Sequence, residues 1–444
     1  MAVREGAFRG CGDVGRAWGR FSLAGVMVSS PRPIVTVMLV AVLTACASGD
    51  SDSSASAPTL PSGVTATTTP PVPSLATTTD DSTTAATTPA TEQAVRPTTS
   101  PATTFITTSA RDLSGVGPVV QAFVDERGLN GAGLVVVQRD EGIVFEGYWG
   151  EFDRDRRSFI ASSSKMITAG VLGRLADDGL LDLDAPVAEQ LGWDGNPEIT
   201  PAQLVSNSSG LVGLFPDLGY EPYRCQFLPT GDLASCGESI FETPDDDADV
   251  IPPDSDFRYG GGQWQVAGAV AEAASGRTWA ELLEEIYVEP CGVDTLGFNN
   301  HFVLARGLGY PDGVEPSSLD PSDNPNMEGG AFIAPPDYAK LLLMHLREGM
   351  CDGGQVLSPA MIDRLHTDRT LEAYPNGAAV PGYAMGWWVD RSTGRLQDGG
   401  AYGSLPWLDL EAGWGAFLVI EADSTTGFEL WQQIEPDITA AMTS

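Results

Sequence analysis

Ile160-Ala161-Ser162-Ser163-Ser164-Lys165-Met166-Ile167-Thr168-Ala169 is the stretch on which the reading of this chain turns. Ser162 and Lys165 form an S-x-x-K pair, and on a helix two side chains three residues apart share a face. The spacing predicts a helix opening at Ser162, where unpaired backbone N–H groups and the macrodipole favour developing negative charge. A serine nucleophile needs that setting. Lys165, buried beside it and held neutral, can take the hydroxyl proton. The chain contains two lysines, Lys165 and Lys340, and its other cations are arginines. Arginine stays protonated at any working pH, whereas a desolvated lysine can serve as a base. Four residues alone more often mark a serine-rich helix start followed by a surface lysine, so the context decides.

Working outward, Met166, Ile167, Val171, Leu172 and Leu175 cover much of the helix circumference, which predicts a buried helix with Gly179 as its stop. Upstream, residues 113–127 have helical apolar spacing, and 131–138 and 143–149 read as two strands around an Asp-Glu-Gly turn. Downstream, 181–191 is a loop entering a short helix, 201–205 a further short helix, and 215–256 a loop-rich lobe. Helices are predicted at 263–274, 279–287 and 336–347, and antiparallel strands at 385–390, 395–400, 405–410 and 416–421. A closing helix at 428–442 is expected to break or kink near Pro436. Strands at both ends with helices between them imply an α+β fold: an antiparallel sheet flanked by helices, with an all-helical, loop-rich lobe.

The 444 residues do not all read as foldable. Residues 33–45 are an apolar run too short to span a bilayer comfortably, and Leu43-Thr44-Ala45-Cys46 resembles a bacterial lipobox, which makes 1–46 a signal segment and Cys46 the lipidation site. Residues 47–110 are dominated by Ser, Thr, Pro, Ala and Asp and read as a disordered tether. The folded domain is assigned to 111–444. An exported, cell-envelope lipoprotein follows, with membrane contact only through its lipid anchor. Four cysteines remain, Cys225, Cys236, Cys291 and Cys351, and an even number in an exported chain suggests two disulfides. Of the three connectivities, 225–236 with 291–351 is preferred. There is no C-x-x-C pair to suggest zinc or redox chemistry, and no metal or cofactor is expected. A formal charge of −36 argues against nucleic acid and anionic membrane surfaces as partners.

A Ser-His-Asp hydrolase is disfavoured. The chain has three histidines and no G-x-S-x-G elbow, and His345 sits within a leucine-rich helical run. A second proton carrier is supplied by Phe257-Arg258-Tyr259-Gly260-Gly261-Gly262, because a tyrosine on a glycine-rich turn can approach a buried site and relay protons. Ser322-Asp323-Asn324 spells another hydrolase motif, but it lies in a Pro/Asp-rich stretch beyond Tyr259 and reads as a solvated loop.

The order of these segments resembles the serine β-lactamase-like and penicillin-binding-protein-like hydrolases, especially the class C and family VIII esterase branch. Ser162-x-x-Lys165 is followed by Leu204-Val205-Ser206-Asn207-Ser208-Ser209-Gly210-Leu211, Tyr259-Gly260-Gly261, Gly329-Gly330-Ala331, Tyr383-Ala384-Met385-Gly386-Trp387-Trp388 and Asp398-Gly399-Gly400-Ala401. The resemblance implies that Ser162 is acylated, that Lys165 and Tyr259 share the proton transfers, and that the backbone N–H groups of Ser162 and Ala401 form the oxyanion hole. It also implies that Asp398, Gly399 and Gly400 line the substrate. Two positions depart from the family pattern: Gly261 stands where asparagine is usual, and Asp398 where lysine or histidine is. An acid there is expected to repel the carboxylate of β-lactams and peptidoglycan-type substrates. The expected function is therefore an exported serine hydrolase acting on small-molecule esters. A D-alanyl-D-alanine carboxypeptidase or β-lactamase, and an inactive cell-wall binding or sensor module, are the alternatives.

Overall fold

The computed structural model describes residues 104–107 and everything from 111 onward, except 215–219, 245–248, 305–308, 312 and 375. These residues belong to one unit, Gln93–Ser444. The signal segment, Cys46 and nearly all of the tether lie outside them.

A seven-stranded antiparallel sheet is built from both ends of the chain. Its strands are β1 (Thr104–Thr107), β2 (Gly131–Gln138), β3 (Gly142–Gly150), β4 (Trp388–Val389), β5 (Leu396–Gln397), β6 (Leu405–Asp409) and β7 (Trp414–Val419), in the order β1-β3-β2-β7-β6-β5-β4. β1 pairs with β3 from Thr104 opposite Tyr148 to Thr107 opposite Phe145. Sheet structure thus begins inside the segment assigned to the tether, whose expected end at 110 is too late. The two ends of the chain meet where β2 pairs with β7, Val135 opposite Phe417.

β2 is buried along nearly its whole length because both faces of the sheet are covered. Ala132, Leu134 and Val136 face α1 (Val116–Arg127) and the C-terminal helix, where Val120, Phe123, Leu430 and Trp431 complete one core. Val135 and Val137 belong to the other core, which contains the central helix α2 (Lys165–Asp177) and extends through Tyr338 and Leu342 of a third helix. A three-stranded patch, with Ala331–Ile333 between Ser158–Phe159 and Gly297–Phe298, lies beside the start of α2.

Several expected boundaries shift for identifiable reasons. The serine-rich segment is a 3₁₀ turn, Ala161–Ser164, leading into α2 rather than α-helix from Ser162. The loop-rich lobe contains an unexpected helix, α3 (Leu233–Phe241), capped by Asp232 and tied to the Cys225–Cys236 disulfide. Helix α4 (Gly262–Ser275) ends at Gly276 in a left-handed conformation, and α5 spans Pro335–Leu346. The closing helix α6 (Ser424–Thr443) runs unbroken through Pro436. Pro436 and Gln432 both lie on the solvent side, so water can serve the carbonyl that proline leaves unpaired. Strand β4 is shorter than expected because Gly386, at φ +80°, turns the chain inward: a Cβ there would come within 2.7 Å of Met166 Cα. The second disulfide joins Cys291 and Cys351.

Candidate active site

The turn carrying Ser162 is held from all sides. Ser164 Oγ donates to Ala161 O at 2.6 Å and accepts from Ala331 N–H at 3.0 Å. Ser163 Oγ donates to Asp398 O at 2.8 Å, and Tyr338 OH donates to Ser163 O at 2.9 Å. Ala161 is forced to φ +44°, a conformation costly for a residue with a Cβ. These bonds spend the hydroxyls of Ser163 and Ser164 on structure. Ser162 alone of the three serines is not fully buried.

Lys165 Nζ lies 3.0 Å from Ser162 Oγ and donates to Glu328 O at 3.0 Å. Its side chain is 0% exposed, beneath the Tyr259 ring at 4.7 Å and the Trp264 ring at 5.6 Å. Burial drives the ammonium pKa down, while Glu328 and then Asp398 pull it back up. Lys340, by contrast, is part-exposed and paired with Asp337.

Tyr259 enters from the turn before α4, whose N-terminal boundary Gly261 sits at φ +80°. A Cβ on Gly261 would come within 2.5 Å of Val212 O, so the glycine in place of the family's asparagine is a backbone requirement here. An asparagine reaches the turn from elsewhere: Asn207 Oδ1 accepts from Gly260 N–H at 3.0 Å and Trp264 Nε1–H at 2.9 Å. The Tyr259 ring stacks on Trp388 at 5.0 Å, and its hydroxyl donates to Asp398 Oδ1 at 3.1 Å. Burial and then Asp398 hold the phenol well above its usual range, and the Ser162 hydroxyl works against them.

Asp398 departs from expectation. It follows β5 in a turn, not a strand, with Gly400 N–H donating to Ser404 O at 2.8 Å. A Cβ on Gly400 would come within 2.1 Å of Ile160 O, so this turn packs directly against the nucleophile segment. The Asp398 side chain is fully buried against Tyr259 and does not line an open surface. Burial pushes its carboxyl up to about 8, with Lys165 opposing. At neutral pH it is mainly uncharged, so the repulsion expected of it is largely absent. Neither protonation state, however, offers a substrate carboxylate a positive charge.

Sequence reasoning missed Glu328. It is 4% exposed, with Oε2 3.7 Å from Lys165 Nζ and accepting from Gly261 N–H at 2.9 Å. An acid directly before Gly329-Gly330 was the available signal. The Ser322-Asp323-Asn324 segment takes no part in the site. Asn324 is buried rather than solvated, and its amide donates to the Cys225 and Leu228 carbonyls at 2.9 Å each. Histidine is absent from the site: His345 and His366 bond each other at 2.9 Å, and His301 bonds Tyr402 at 2.9 Å. Among the described residues no cluster of three or more His, Cys, Asp or Glu is placed to hold a metal.

This fold, with a serine, a buried lysine and a tyrosine converging where the sheet end meets α2, defines a class of protein. Residues 117–434 match the β-lactamase family model, and the chain belongs to the β-lactamase family, whose members are serine hydrolases. It is similar to penicillin-binding protein 4 of Amycolatopsis lactamdurans, 26% identical over 60% of this chain and 71% of that protein. It is also similar to the lovastatin esterase of Penicillium rubens, 24% identical over 55% of this chain and 70% of that one. Among solved structures, a penicillin-binding protein homologue from Caulobacter crescentus superposes with a TM-score of 0.59 at 19% identity, covering 76% of this chain and all of the other.

Proposed function

We propose that this protein is an exported serine hydrolase that forms an acyl-enzyme on Ser162 and acts on small-molecule esters. The observation that carries the reading is the 3.0 Å contact between Ser162 Oγ and the Nζ of a fully buried lysine. A desolvated amine in hydrogen-bond reach of a hydroxyl is the arrangement a general base requires. Ser162 Oγ attacks the ester carbonyl as its proton passes to Lys165. The N–H groups of Ser162 and Ala401 receive the oxyanion, and one such donor contributes about 3 kcal/mol to transition-state stabilisation. Tyr259 carries the proton on to the leaving alcohol, and water releases the acyl group in a second pass.

The ester preference rests on Asp398. β-Lactams and D-alanyl peptides present a carboxylate beside the scissile bond, and Asp398 supplies no cation to meet it. The likeness to a lovastatin esterase supports the same choice. The likeness to a penicillin-binding protein makes D-Ala-D-Ala and β-lactam substrates the comparison to run. The test is mass spectrometry of the protein after a fluorophosphonate probe, alongside turnover of a short-chain ester, a chromogenic cephalosporin and a D-Ala-D-Ala peptide. Ser162 should carry the label, Ser162→Ala should not, and the ester should be favoured. Equal turnover of cephalosporin and ester would overturn the substrate preference, and an unlabelled wild type would leave only a binding module. Anchoring at Cys46 belongs to the same proposal: a lipid label should be incorporated in cells and lost in Cys46→Ser.

A further inference from the structure

We propose that Glu328 is a positioning residue for acylation: it tunes the basicity of Lys165, so that an amine stripped of water still takes the Ser162 proton. The inference rests on the reading of Ser162 as the nucleophile. It begins from geometry that the S-x-x-K motif does not contain. Glu328 Oε2 stands 3.7 Å from Lys165 Nζ, within ion-pair range, and the main-chain carbonyl of the same residue accepts from that nitrogen at 3.0 Å. One residue therefore fixes the amine twice. The carboxyl is itself fixed: Gly261 N–H donates to Oε2 at 2.9 Å, and a Cβ on Gly260 would come within 2.6 Å of that oxygen. The glycine turn that delivers Tyr259 is thus shaped around this carboxyl. Oε1 is buried without a hydrogen-bond partner among the described residues, an arrangement that structure alone does not require.

Burial of a lysine has two effects that pull apart. It removes the resting charge, which frees the lone pair, and it lowers proton affinity, which weakens the base. A fixed acid nearby restores affinity without readmitting water. The groups facing Lys165 are Glu328 from the segment before the Ala331 strand, Asp398 from the β5–β6 turn, and the Tyr259 ring and Ser162 hydroxyl. Those facing Glu328 are Lys165 and the Gly261 N–H, with the Tyr259 and Tyr383 phenols within its electrostatic reach. Glu328 is the larger of the two acidic influences on the amine. Lys165 and Glu328 titrate as a coupled pair: burial pushes the carboxyl above its usual range, and Lys165 and the Gly261 N–H pull it back down. In the step itself the Oγ–C bond forms and the Oγ proton moves to Nζ. Collapse then breaks the bond to the leaving oxygen, which takes a proton through Tyr259, and the amine is neutral again.

The test is the pH dependence of Ser162 acylation by a fluorophosphonate probe and by a short-chain ester, in wild type, Glu328→Gln and Glu328→Asp, with thermal melts of each. Removing the acid should move the acidic limb of the rate profile to lower pH by about one unit and lower its plateau by up to about tenfold. Aspartate should restore the limb part-way. A slower Glu328→Gln enzyme whose limb stays at the wild-type pH would overturn the proposal, since a purely structural loss does not move it. Should Glu328→Gln fail to fold, a Glu328→Asp limb identical to wild type would do the same. No acylation of the wild type at any pH would instead refute the reading of Ser162 on which the inference stands.

Discussion

Replacing Asp398 with asparagine should stabilise this protein at neutral pH while leaving it unchanged in acid. The side chain is fully buried and its carboxyl is pushed from 3.8 up to about 8. The folded form therefore holds a proton that the unfolded chain gives up above about pH 4. Wherever the folded state binds more protons, stability falls as pH rises, so Asp398 weakens the fold progressively from about pH 4 to about pH 8 and adds nothing further beyond. At pH 7 the interval is roughly three units, an upper bound of about 4 kcal/mol. Coupling to Lys165 reduces it. Asparagine is close in shape to the protonated acid, stays neutral throughout and can still accept from Tyr259 OH. For a domain of this size each kcal/mol moves the melting temperature by roughly 1–2 °C. Differential scanning calorimetry of both proteins at pH 4.5 and pH 7.5 gives the measurement: near coincidence at the lower pH, and the variant higher by several degrees at the upper. Equal melting temperatures at pH 7.5, or a gap that does not widen with pH, would refute the claim that this carboxyl is held neutral by burial.

Lys165→Met should reduce acylation of Ser162 about 10²–10⁴-fold and lower the melting temperature, because it leaves the Glu328 carboxyl buried without its ion-pair partner; stopped-flow labelling and a melt read both. Gly261→Asn, which writes the family's usual residue into the tyrosine turn, should destabilise by about 1–3 kcal/mol in urea unfolding, because the position needs φ +80° and has Val212 O in the way. Removing the Cys291–Cys351 bond, which spans 60 residues, should cost about 4 kcal/mol, against about 3 kcal/mol for the 11-residue Cys225–Cys236 loop; paired serine variants in denaturant titrations test the ranking.

What could be read from the chain is what local pattern determines. Strands β2 and β3 are apolar runs either side of a tight turn, and α4 stops at a glycine; both emerge within a residue of expectation. Ser162 and Lys165 are legible for a different reason: lysine is rare in this chain, and one of its two lysines stands three residues after a serine, while Tyr259 is marked by the glycines that follow it. The failures come from contacts between distant segments. Nothing near Asp398 in the sequence says that Tyr259, 139 positions earlier, will cover it, and so its charge was misjudged. Glu328 looked like one of many acids in a chain of net charge −36 until the fold set it against Lys165. Pro436 departs in the opposite sense: the local rule is sound, but the carbonyl it leaves unpaired faces solvent, where water can serve it.

The two buried acids answer a physical question that the S-x-x-K motif leaves open. An amine with no charged neighbour in this interior would be neutral but a feeble base, and one paired with a single open carboxylate would be permanently charged. Here Glu328 and Asp398 approach from two sides, each itself desolvated, so neither holds the amine as firmly as a solvated partner would. Lys165 is coupled to both acids, which set its proton affinity at the expense of fold stability. The two acids should consequently be separable by experiment. Loss of Glu328 should move the acidic limb of the rate profile, where the amine becomes free. Loss of Asp398 should extend activity above about pH 8, because there its new negative charge beside Tyr259 opposes any further withdrawal of a proton from the phenol. If both substitutions moved the same limb, the acids would be redundant, and the division of labour argued from their positions would be wrong.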